Sequence, residues 1–83
     1  MSRSKLDLFA KVLEMARNGT TGAKIASQEN LQRELVDSSL RLLTNLDLLM
    51  ETRNSPVSFV TTQKGCQFLQ DYQHLAKRLN SEF

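Results

Sequence analysis

Val57-Ser58-Phe59-Val60-Thr61-Thr62-Gln63-Lys64-Gly65 changes its period in mid-course. The first five residues are β-branched, aromatic or small and polar, the composition of a short strand. From Thr62 onward the pattern turns helical. The Thr62 hydroxyl can cap a helix running from about residue 63 toward 80. Gly65 falls in its first turn, where a close backbone approach is one reason to omit a side chain. Before this stretch, Asn54-Ser55-Pro56 is a turn cluster and residues 50–53 make a second short run. Together they read as two antiparallel strands around a polar turn, with Pro56 at an edge or in the turn itself.

Upstream the period is helical throughout. Residues 33–49 form a long helix on this reading, with Gln32 as a weak cap. Its apolar face collects Leu35, Val36, Leu40, Leu42, Leu43, Leu46 and Leu49, wide enough to centre a domain. The opposite side carries Arg33, Glu34, Asp37, Ser38, Arg41, Thr44 and Asn45. A first helix spans residues 4–18, with Leu6, Phe9, Leu13 and Ala16 at helical spacing and Ser4 as its N-cap. Gly19 follows where a left-handed residue is required. Thr20-Thr21-Gly22 then turns the chain into a short helix over 23–28 that presents Ile25 and Ala26 inward. Glu29-Asn30 is a second turn, anchored by Leu31. The order is helix, short helix, long helix, hairpin, helix, which is mainly α with a small β-hairpin.

The chain has 83 residues, room for one small domain. Eleven Lys and Arg oppose nine Asp and Glu, a formal charge of +2 that permits a nucleic-acid partner without demanding one. The leucine-rich stretch is broken at Arg41, Asn45 and Asp47, so it reads as no transmembrane span, and Asp7, Lys11 and Glu14 interrupt anything like a signal peptide. One cysteine, Cys66, excludes an internal disulfide and suits a reducing cytosol; one histidine, His74, leaves little for metal chemistry. No nucleophile–base pair, phosphate loop or metal-ligand spacing is present, so neither an enzyme nor a cofactor is expected.

The element order is that of a winged helix-turn-helix domain. The run Phe59-Val60-Thr61-Thr62-Gln63-Lys64-Gly65, followed by Phe68-Leu69, resembles the junction between wing and last helix in small prokaryotic winged-helix regulators. Ser4-Lys5-Leu6-Asp7-Leu8, Asn30-Leu31 and the final heptad extend the resemblance to the small archaeal "ten-a" chromatin proteins. That resemblance implies a homodimer paired through the C-terminal helix as an antiparallel coiled coil and bound to double-stranded DNA. It divides the chain into a winged-helix domain, 1–65, and a C-terminal amphipathic dimerisation helix, 66–83. It implies a cytoplasmic, nucleoid-associated transcriptional regulator or chromatin protein. Three features depart from the pattern: Thr61 replaces a usual Leu, weakening one core contact; the wing, residues 52–57, is longer and carries Pro56; and Glu34 and Asp37 sit on the exposed side of the recognition helix.

In such a domain helix 33–49 enters the major groove. Arg33, Ser38 and Arg41 then meet bases or phosphate, since a guanidinium can pair bidentately with guanine. Arg53 and Asn54 at the wing tip touch the flanking backbone, and Lys24, with the Thr20 and Thr21 hydroxyls, holds phosphate near a helix N-terminus. The competing reading is a solvated face joined by i,i+4 pairs, with capping alone explaining the threonines. Phe68, Tyr72, Leu75 and Leu79 follow a 4-3-4 spacing. Phe68 and Leu69 close the domain's own core, while Tyr72, Leu75 and Leu79 form the dimer interface. Cys66 is a small filler and His74 faces solvent. The alternative function is a winged-helix protein-interaction module without DNA binding, favoured by the two carboxylates on the long helix.

Overall fold

The computed structural model describes residues 5–53 and 55–82, with side chains through Leu79. The expected roles of Ser4 and Asn54 lie outside the described residues. Helix α1 covers Lys5–Met15 and tightens into a 3-10 turn, Ala16–Asn18. Helices α2, Gly22–Glu29, and α3, Arg33–Asn45, follow as a tandem. Strands β1, Leu49–Thr52, and β2, Ser58–Thr61, form the hairpin, and helix α4, Gln63–Glu82, closes the chain. The strands pair antiparallel, from Leu49 opposite Thr61 to Thr52 opposite Ser58. The fold class read from the sequence is the one observed.

Helices α2 and α3 stop by the same device. Asn30 takes a left-handed conformation (φ 54°), and the Leu31 N–H reaches back to the Ala26 carbonyl at 2.9 Å. Asp47 does likewise (φ 66°), and the Leu48 N–H reaches the Leu43 carbonyl at 2.9 Å. Each closure satisfies carbonyls that the end of a helix leaves without partners, and each uses an Asx residue, which tolerates αL better than most. Leu48 is buried behind the second closure.

That closure corrects the expected end of the long helix from 49 to 45. Leu49 is buried, but as the first residue of β1. The core face of α3 is narrower than the leucine count implied: Val36, Ser39, Leu40 and Leu43 are buried, whereas Leu35, Leu42 and Leu46 remain 42–48% exposed. Ser39 can be buried because its hydroxyl donates to the Leu35 carbonyl at 2.9 Å.

The hairpin gains a third segment from the turn before α2. Thr20 and Phe59 exchange backbone hydrogen bonds of 3.0 and 2.8 Å, so β2 is paired on both sides. Gly19 permits that approach with φ 93°. At the hairpin exit, Thr62 caps α4 by accepting from the Gly65 N–H at 3.0 Å, while its hydroxyl donates to the Asp47 carbonyl at 2.7 Å. A Cβ on Gly65 would collide with the Leu48 carbonyl and lie 2.7 Å from Thr61 Cγ2. The missing side chain therefore lets α4 start against the connection between α3 and β1.

The core lies between these elements, with Leu13, Ile25, Leu43, Leu49, Val12 and Val36 its largest fully buried side chains. Leu69 brings α4 into it, and Phe68 and Tyr72 pack partly against it. Thr61, where the resemblance has a Leu, is buried and adds a polar link. Its hydroxyl donates to the Leu13 carbonyl at 2.6 Å, joining β2 to the last turn of α1. Among the described residues no helix is long and apolar enough to cross a membrane.

Candidate nucleic-acid interface

Because Val36, Leu40 and Leu43 turn inward, the opposite side of α3 is left with Glu34, Asp37, Ser38, Arg41 and Asn45, all exposed. The hairpin stands beside that side. Asp37, Leu40, Arg41, Thr44 and Asn45 of α3 share a shallow groove with Glu51 of β1 and Phe59 of β2. Arg41 is thus set in this groove with carboxylates at Asp37 and Glu51 along its walls. Sequence reading missed Glu51, since nothing in a period-2 pattern tells which helix a strand residue will face.

Arg33, the first residue of α3, lies elsewhere. Its Nε–H donates to Asp37 Oδ1 at 3.0 Å, an ion pair with both side chains about half exposed (56% and 51%). Its guanidinium lies over the first residue of α2: a Cβ on Gly22 would sit 3.1 Å from Arg33 Nη2 and 3.2 Å from Nε. The Arg33–Asp37 contact is one of the i,i+4 pairs that the competing solvated-face reading calls for. Ser38 is also engaged, with its hydroxyl donating to the Glu34 carbonyl at 2.9 Å. The oxygen keeps acceptor capacity, but its proton is committed to the helix.

A second shallow groove joins the turn before α2 to the hairpin loop. It is lined by Asn18, Gly19, Thr20, Thr21 and Lys24 on one side and by Ser55, Pro56 and Ser58 on the other. Lys24 is exposed on its edge, and Arg53 is exposed at the end of β1. The two threonines part ways: Thr21 follows the capping reading and Thr20 follows neither. Thr21 caps α2, its hydroxyl accepting from the Lys24 N–H at 3.2 Å. Thr20 is 6% exposed, and its hydroxyl has no hydrogen-bond partner among the described residues. A hydroxyl so buried cannot reach a DNA backbone, so Thr20 is removed from the candidate contacts.

On α4 the heptad residues divide by depth. Phe68 and Tyr72 are half-buried, whereas Leu75 and Leu79 are 57% and 50% exposed. His74 is exposed, as expected, and Cys66 is half-buried beside Arg17, Leu69, Gln70 and Gln73. Among the described residues no group of three or more His, Cys, Asp or Glu is placed to hold a metal ion.

Helix tandem, hairpin and exposed polar helix face define a winged helix-turn-helix domain. The chain belongs to that family: the winged helix-turn-helix family model matches residues 2–80. Among solved structures it is similar to ZitR of Lactococcus lactis. Wild-type ZitR is 24% identical with a TM-score of 0.74, the alignment covering 99% of this chain and 59% of that one. A mutant ZitR solved in complex with DNA is 22% identical with a TM-score of 0.72, covering 99% and 64%. These likenesses show the fold, and the chain spans about six-tenths of the ZitR length. None of the curated proteins matches it.

Proposed function

We propose that this protein is a homodimeric DNA-binding regulator or chromatin-associated protein of the cytoplasm, in which α3 enters the major groove and the wing over residues 52–57 rests on the flanking backbone. The observation that carries the reading is the exposed side of α3, with Arg41 and Asn45 pointing away from the core beside the hairpin. Arg33 at the start of α3, Lys24 on α2 and Arg53 just after β1 are exposed as well. The fold likeness to ZitR, one of whose mutants was solved in complex with DNA, supports the same partner. The element order and the junction from Phe59 to Gly65 support a role like that of the small archaeal "ten-a" proteins.

The pairing element on this reading is the C-terminal helix, residues 66–83, after a winged-helix unit of residues 1–65. Leu75 and Leu79 support it, because each large apolar side chain left in water forgoes about 1.5–3 kcal/mol. A second copy offering the same helix covers both. Tyr72, half-buried against its own core, contributes only its outer edge to such a seam.

The test is duplex binding as a function of salt. A dimer neutralising about six phosphates gives a log–log slope near −5. Arg41→Ala should weaken binding with the melting temperature unchanged, because Arg41 is exposed and holds no core element in place. Absence of binding at low salt would refute the function. A protein-interaction module is the second reading, favoured by Glu34, Asp37 and Glu51 around the same helix. It gains if a partner protein protects Arg41 while DNA does not.

A further inference from the structure

Gly22 opens α2 with no backbone reason to be glycine. Its φ is not positive, the positive-φ positions of the described chain being Gly19, Asn30 and Asp47. Any L-residue could adopt its conformation, and Ala is the better helix former. What Gly22 leaves open is space. An added Cβ would stand 3.1 Å from Arg33 Nη2, 3.2 Å from Arg33 Nε and 3.3 Å from Leu40 Cδ1, all tighter than ordinary contact. Gly22 itself is buried. It is the floor on which the Arg33 guanidinium lies.

Asp37 supplies the second restraint. It takes the Nε–H of Arg33 at 3.0 Å, and among the described residues the hydrogens on Nη1 and Nη2 are left for another acceptor. The guanidinium is thus flanked by the bare backbone of Gly22 and tied at Nε to a carboxylate, while its side chain stays 56% exposed. A free arginine gives up much rotamer freedom when it binds, and one already held gives up less.

From this geometry, resting on the DNA-binding reading above, we propose that Gly22 and Asp37 are positioning residues that preset Arg33 for a DNA backbone phosphate. Phosphate is favoured over a base edge by place. Arg33 leans off the flank of α3 onto α2, whereas Arg41 and Asn45 occupy the side facing away from the core. On this account Asp37 is no obstacle to a polyanion: its charge is spent on the arginine it aims.

The experiment is a double-mutant cycle with Gly22→Ala and Arg33→Ala, read by duplex affinity over a panel of sequences and by salt slope, beside thermal melting. Gly22→Ala presses on the movable end of Arg33 and, at 3.3 Å, on Cδ1 of the buried Leu40, which must give by a few tenths of an ångström, so the melting temperature should change little. Its affinity should fall about tenfold, the factor equivalent to about 1.4 kcal/mol. The loss should be uniform across sequences, and Arg33→Ala should lower the salt slope by about one per protomer. In the Arg33→Ala background, Gly22→Ala should cost nothing further. The seat is refuted if Gly22→Ala binds like wild type, or if it weakens both backgrounds equally. A loss confined to particular sequences would overturn the phosphate assignment in favour of a base. Wild type that binds no duplex refutes the proposed function as well, which separates the two failures.

Discussion

Two buried threonines give one substitution opposite signs. Thr61 is 8% exposed and donates to the Leu13 carbonyl at 2.6 Å. Thr20 is 6% exposed, and its hydroxyl has no partner among the described residues. Valine keeps nearly the volume of threonine and removes only the hydroxyl. At Thr61 the change leaves a carbonyl in the last turn of α1 without this donor, which costs about 1–3 kcal/mol. For a domain of this size each kcal/mol moves the melting temperature by roughly 4–8 °C, so Thr61→Val should melt lower by about 5–20 °C. At Thr20 the same change deletes a polar group that already bears an uncompensated burial cost. Thr20→Val should gain about 1 kcal/mol and melt roughly 4–8 °C higher. Valine also suits the extended backbone that pairs Thr20 with Phe59. Urea and thermal unfolding followed by circular dichroism measure both, at one protein concentration because association alters apparent stability. Shifts of the same sign would refute the reasoning. It would then be the methyl packing, common to both sites, that governs them.

Other perturbations follow from the same contacts. Gly65→Ala forces a Cβ against the Leu48 carbonyl, which belongs to backbone and cannot swing aside, so urea unfolding should show a loss of at least about 1–3 kcal/mol. Asp47→Gly relieves a side chain at φ 66° while keeping the backbone carbonyl that Thr62 uses, and a melting temperature a few degrees higher is the expected result. Leu75→Glu places a charge at a 57% exposed position; sedimentation should show monomers where wild type shows dimers, with circular dichroism unchanged. If both sediment as monomers, the pairing role of α4 is wrong.

Much of the fold was legible because it depends on short-range signals. The change of period at Val57-Ser58-Phe59-Val60-Thr61, the Thr62 cap, the close approach at Gly65 and the turns after α1 and α2 are all local. The end of α3 was not. Leu46 and Leu49 continue the helical stripe, and only the left-handed Asp47, with Leu48 buried behind it, shows that the helix has stopped. Apolar periodicity also overstated burial. Leu35, Leu42 and Leu46 are good helix residues whose exposure depends on which neighbours arrive, and none covers them within the described chain.

For the site, the sequence by itself determined the cast: arginines at 33 and 41, carboxylates at 34 and 37, a polar hairpin tip and a heptad at the end of the chain. Spacing along a helix dictates that much, because residues four apart share a face. Tertiary structure decided what each one does. It laid Arg33 over Gly22 on a different helix, put Arg41 in one groove with Glu51 of a strand, and buried Thr20 while leaving Thr21 at a cap. Those outcomes depend on contacts between elements far apart in the chain. Their geometry is set by packing rather than by period.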